Sequence, residues 1–171
     1  MPEPAIPAAM QPVDTDVDLN VPAHRRELAR SALPVLAVIS LGGMLGALGR
    51  HGLAAAFPHS AVEFPWATFV VNVSGCALIG VLMVVVDQLG AHRLVRPFFG
   101  VGVLGGFTTF STYMIDAQHA VDAGAAGLAL VYLAGTLVAA VAAVWTGSTV
   151  TGAVFRLLAR AGQQAGTQRR R

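Results

Sequence analysis

Gly105-Gly106-Phe107-Thr108-Thr109-Phe110-Ser111-Thr112-Tyr113 lies inside the third of four apolar stretches, and its reading decides the fold. Each glycine weakens a helix by about 1 kcal/mol relative to Ala, and the two β-branched threonines weaken it further. Hydrocarbon offers no water to a freed backbone group, so a weak helix at membrane depth is tolerated where it lines a cavity or packs inside protein. Broken helices near the bilayer midplane commonly hold ions or substrates. A break here would free carbonyl oxygens able to hold a hard cation such as sodium. Phe110 and Tyr113, spaced i and i+3, project to one side if the helix resumes.

The surrounding chain supports a membrane setting. Of 171 residues, 55% are hydrophobic and only 12% charged, too apolar for a soluble domain of this size. Apolar stretches at 34–57, 65–87, 97–118 and 124–148 each match the roughly 20 residues a spanning helix needs. The expected fold is therefore an all-α membrane protein with four transmembrane helices, the third broken, occupying residues 34–150. Residues 1–33 read as a disordered N-terminal tail and residues 151–171 as a basic C-terminal tail. A signal peptide does not fit, because the first apolar run follows some thirty polar residues. Cys76 reads as a small packing residue, and no Cys/His cluster suggests zinc. No nucleophile–base pair appears in the membrane region, so an enzyme is not expected. Nor is nucleic-acid binding, since no aromatic residues interleave with the basic ones.

All 11 basic residues are arginines. Arg25, Arg26, Arg30, Arg93, Arg96, Arg156, Arg160, Arg169, Arg170 and Arg171 fall on one side of a four-span chain. The opposite loops carry none, and hold Glu63, Asp122 and Asp116. The positive-inside rule then sets both termini in the cytoplasm of a multi-pass protein of the inner (plasma) membrane, with the basic C-terminus able to meet anionic lipid. Arg50 is the exception, near the end of span one. A mid-bilayer charge costs about 2.5–3.5 kcal/mol on insertion scales. Snorkelling to the headgroups and a role at an aqueous vestibule are both open for it.

Gly42, Gly46 and Arg50 share a face of span one, as do Asn72, Cys76 and Gly80 in span two. Small residues at this spacing let helices approach closely in lipid. Asn72 reads equally as interhelical glue or as pore lining. Ring edges are electropositive, so Phe110 and Tyr113 can solvate a small anion without trapping it. Ser111, Thr112, Tyr132 and Thr136 can donate hydroxyl hydrogen bonds. Ordinary packing and back-bonding to their own helix is the competing reading of these side chains.

Three motifs together resemble the CrcB/Fluc family of fluoride channels. They are Gly42-Gly43-Met44-Leu45-Gly46-Ala47-Leu48-Gly49-Arg50, Val71-Asn72-Val73-Ser74-Gly75, and the Gly105–Thr112 stretch, and the resemblance covers about residues 35–148. It implies passive fluoride export, relieving toxicity, by two subunits inserted antiparallel around two narrow pores. It implies a structural sodium held by the backbone carbonyls of Gly105 and Thr108. Phe110 and Tyr113 would supply the pore rings, Asn72 would line the pore beside them, Ser111, Thr112 and Thr136 would form a polar track, and Arg50 would stand at the vestibule. The chain departs from the family pattern at Tyr113 (Phe), Ala67 (Gly), Asp116 (Glu) and Ala140 (a hydroxyl residue). An antiparallel homodimer requires one sequence to insert both ways, which calls for weak arginine bias. Ten against none is strong bias, so the expected partner is an oppositely oriented paralogue. Two further readings stay open. One is a non-conducting partner subunit. The other is a small four-helix drug exporter, which lacks the carboxylate it needs in span one.

Overall fold

The computed structural model describes residues 32–168, with side chains through Ala161. The expected N-terminal tail, including Arg25, Arg26 and Arg30, lies outside the described residues, as do Arg169, Arg170 and Arg171. Every regular element among the described residues is a helix. Helix α1 runs Leu33–Ala56 and α2 Trp66–Leu89. The third apolar stretch comprises a π-wound segment α3, Arg96–Leu104, a single turn α4, Gly105–Phe107, and helix α5, Ser111–Asp122. Helix α6 runs Ala126–Gln168. Four stretches are long and apolar enough to cross a membrane: Leu33–Ala56, Trp66–Leu89, Arg96–Asp122 and Ala126–Ala161.

Packing follows the small residues. A Cβ on Gly46 would strike the Val103 carbonyl and lie 2.7 Å from the Phe107 amide, so α1 rests directly on the backbone of α3 and α4. Gly106 of α4 meets α1 the same way, at the backbone of Gly43. Helices α2 and α6 form the most extensive pair. There Gly80 faces the backbone of Val144 and Ser148, and Gly147 that of Ala77. Such backbone-to-backbone approach is how helices gain dispersion contact in lipid, where water supplies no driving force. The buried centre is small: Tyr132, Ala117, Ala120 and Ala129 cluster between α5 and α6. Large apolar side chains such as Leu41, Leu48, Leu137, Val141 and Trp145 face outward, as a lipid-facing surface requires.

Helix α6 outruns its expected end near residue 148. Ala153, Arg156, Leu157, Leu158, Ala159 and Arg160 are good helix formers, and no proline intervenes, so the winding continues into the segment set apart as a tail. Its 43 residues span about 64 Å at 1.5 Å each, twice the ~30 Å of a hydrocarbon core.

Candidate functional site

The backbone leaves helical geometry at Thr108, whose ψ of 156° is extended. Regular winding resumes at Ser111. Three side chains define the residues between. Thr108 turns inward on its own helix: its amide and its hydroxyl both donate to the Leu104 carbonyl, at 2.9 and 2.8 Å. Asn72 reaches across from α2 and pairs with Thr109 twice. Its Nδ2 donates to the Thr109 carbonyl at 2.9 Å, and the Thr109 amide donates to its Oδ1 at 2.8 Å. Only one orientation of the amide serves both bonds. Thr109 then caps the next helix, its Oγ1 accepting from the Thr112 amide at 3.2 Å and donating to the Thr112 hydroxyl at 3.1 Å.

These bonds decide which carbonyls remain for a ligand. In an unbroken α-helix the Thr109 amide would serve Gly105 and the Thr112 amide would serve Thr108. Both amides are diverted, one to Asn72 and one to the Thr109 side chain. Gly105 and Thr108 thus lose their helical donors, while the Gly106 carbonyl between them accepts from Arg50 Nε at 3.2 Å. Neutral carbonyl oxygens freed in this way suit a hard cation such as sodium. Among the described residues, no group of three or more His, Cys, Asp or Glu side chains offers a competing metal site.

Beside the break lies a cavity of about 370 Å³ lined by residues including Ala47, Arg50, His51, Thr68, Thr109 and Thr112. Arg50 is therefore tied to the glycine-rich turn and faces the cavity. The Ser111 hydroxyl lies 3.4 Å from that of Thr109. Phe110 is 75% exposed, so its ring is free to meet lipid, a second subunit or an ion. Its centroid lies 6.1 Å from that of Tyr113, with planes at 50°. Tyr113 is anchored where a Phe would not be: its hydroxyl donates to the Leu133 carbonyl at 2.6 Å, and its ring lies 5.0 Å from that of Tyr132. Thr136 does not line the cavity. It is buried on α6, and its hydroxyl has no partner among the described residues.

A second cluster was missed in the sequence. Asp116 was grouped there with the loop acids, but its side chain is only 9% exposed. Its Oδ2 accepts from the Thr68 hydroxyl at 2.7 Å and from the Tyr132 hydroxyl at 3.4 Å. His59 Nε2 stands 3.9 Å from its Oδ1. The available signal was Thr68, four residues before Asn72 and hence on the same stripe of α2. The loop carrying His59 is ordered by Glu63, which accepts from the Ser60 amide at 2.8 Å and the Ser60 hydroxyl at 3.0 Å. These bonds hold the Glu63 carboxyl below its ordinary pKa, the Ser60 amide contributing most.

Residues 37–148 match the family model described as CrcB-like protein, Camphor Resistance (CrcB). A relative from Streptomyces avermitilis, named fluoride-specific ion channel FluC 2, is 56% identical over 122 residues, covering 71% of this chain and 77% of its own length. A FluC 1 from Streptomyces coelicolor is 51% identical over 128 residues, covering 74% of this chain and 83% of its own. Streptomyces avermitilis also has a FluC 3, 43% identical over 117 residues, covering 68% of this chain and 57% of its own. The match reaches into all four apolar stretches and includes Asn72 and Thr108–Phe110, and on that basis this chain belongs to the CrcB family.

Proposed function

We propose that this chain is one subunit of a passive, fluoride-selective channel that carries fluoride out of the cell. The carrying observation is the interruption at Thr108–Phe110, pinned by Asn72, flanked by hydroxyls and ending in an exposed ring. Its setting is the plasma membrane, with both termini cytoplasmic, as the arginine distribution favours. Fluoride enters cells as neutral HF, ionises inside, and is then trapped by the hydrocarbon barrier. The membrane potential drives the anion outward once a path exists.

Such a path must replace hydration well enough to admit the ion and weakly enough to release it. The hydroxyls of Thr109 and Thr112 in the cavity, with Ser111 beside them and Thr136 behind, buried on α6, supply neutral donors. The edges of Phe110 and Tyr113 supply weak positive potential. Asn72 keeps two of its polar atoms on Thr109, so its first task is to hold the break open, with its second N–H left for the path. Arg50, at the cavity and off the narrow track, raises local anion concentration without a tight contact in the constriction. Gly105 and Thr108 carbonyls, joined by the same pair from a second subunit, would hold a structural sodium. When bound, the ion supplies a fixed positive charge that offsets part of the anion's desolvation.

The second subunit is antiparallel, and a paralogue of opposite orientation fits better than a second copy. Ten arginines against none favour one direction of insertion, and numbered relatives of this chain occur together within one organism. A second reading, a subunit that assembles without conducting through its own rings, draws support from Tyr113, whose hydroxyl is tied to Leu133.

The test is fluoride-electrode recording from potassium-loaded vesicles, with chloride as the control ion. Vesicles holding this chain and the paralogue should release fluoride; those holding this chain alone should not. Phe110→Ile should cut release at least about tenfold while the assembly stays intact. Brisk release from this chain alone refutes the pairing, release unchanged in Phe110→Ile refutes the ring argument, and absence of release from every combination refutes the channel.

A further inference from the structure

We propose that His59 is a proton-operated counter-charge for Asp116, and that its protonation from the non-cytoplasmic side raises the rate of ion passage. The proposal rests on the channel reading above and adds a regulation to it.

Asp116 sits one hydrogen bond behind the cavity wall, because Thr68 both lines the cavity and donates to Asp116. Two hydroxyls, from Thr68 on α2 and Tyr132 on α6, solvate its carboxylate but bring no charge. A buried anion behind the wall of an anion path opposes entry. Among the described residues, the cationic group within reach is His59, which approaches the other carboxylate oxygen at 3.9 Å. That separation is too long for a hydrogen bond from a neutral ring and suits an ion pair with a protonated one. Histidine changes charge between about pH 5 and 8, the range an outer surface meets. The ring is held at this distance by its own loop, where Nδ1 lies 3.2 Å from the Ser60 carbonyl and Ser60 is bonded by Glu63. An acceptor at Nδ1 also places the neutral ring's proton there, leaving Nε2 to gain the second proton toward Asp116.

The other groups around Asp116 leave this role to His59. On its own helix, Tyr113 lies one turn before and donates to Leu133, and His119 lies one turn after, with no contact to the carboxylate. Glu63 shares the loop and is bonded to Ser60. Arg50 lines the same cavity but is fixed on the Gly106 carbonyl, and His51 lies beside it.

The test compares wild type, His59→Gln and Asp116→Asn in the conducting assembly, with buffers between about pH 6 and 8, where leak through protein-free vesicles is subtracted. Wild-type fluoride release should rise at least about threefold from the alkaline to the acidic end, and His59→Gln should lose that rise. An equal pH ratio in wild type and His59→Gln overturns the proposal. A second measurement stands apart from conduction: hydrogen exchange of the amides of residues 59–64. At about pH 6 wild type should exchange at least about threefold more slowly than Asp116→Asn, and at about pH 8 the two should agree. If no assembly conducts, the channel reading fails and exchange alone decides: wild type and Asp116→Asn alike at both pH values overturn the counter-charge.

Discussion

Replacing Asn72 by Leu tests the clamp that defines the break. Leu has similar volume, so α2 keeps its packing, but both bonds to Thr109 vanish. Side-chain hydrogen bonds between membrane helices average about 0.6 kcal/mol and reach about 1.7. Leaving a buried backbone donor and acceptor unpaired costs about 1–3 kcal/mol each in dry surroundings. Thr109 lines a cavity that water can reach, which sets the loss toward the lower end for each group. Two groups then give about 2–3 kcal/mol. The assay is unfolding in mixed micelles, paired with hydrogen exchange at Thr109. A loss of about 2 kcal/mol confined to the break should speed exchange of the Thr109 amide about 30-fold. Asn72→Asp is the companion variant: it keeps the acceptor for the Thr109 amide but faces the Thr109 carbonyl with an oxygen. Exchange in Asn72→Asp should therefore stay near wild type while fluoride release falls. A stability loss under about 0.5 kcal/mol in Asn72→Leu, with Thr109 exchange within threefold of wild type, would refute the clamp.

Two further outcomes follow from other contacts. Gly46→Ala places a methyl against the Val103 carbonyl and within 2.7 Å of the Phe107 amide, backbone atoms that must move, so it should cost about 1–3 kcal/mol and shift resonances in α4, whereas Gly52→Ala, with nothing within 4 Å, should leave those resonances in place and cost no stability, the helix gaining up to about 1 kcal/mol. Glu63 is held charged in the folded loop, so its contribution is present above its ordinary value of 4.5 and is lost as pH falls below it. Exchange across residues 60–64 should accelerate in acid relative to Glu63→Gln, and an unchanged ratio between pH 7 and the acidic end would contradict that assignment.

Hydropathy made the four spans readable, because a lipid-facing helix must be apolar along nearly its whole length. The read stretches 34–57 and 65–87 differ from Leu33–Ala56 and Trp66–Leu89 by only one or two residues. The end of α6 was not readable, since arginine, leucine and alanine wind equally well in lipid and in water. The π-winding of Arg96–Leu104, which packs against Gly42 and Gly46 of α1, is marked by no local pattern. Asn72 left glue and pore lining equally open, because a lone amide says nothing of its partner 37 residues away. The Asp116 cluster was hidden for the same reason. Its members come from a loop and three helices, and Thr68 lies 48 residues from the carboxylate it serves.

The length of α6 has a mechanical consequence. At about 64 Å it is too tall to be hidden by any bilayer, even when tilted. Its distal half is an unjointed mast, so a dye or a docking tag mounted there rides at a fixed height and turns with the span beneath. Any rocking of α6 against α2 is magnified at that tip, which makes the end farthest from the ion the most sensitive place to watch the subunit move.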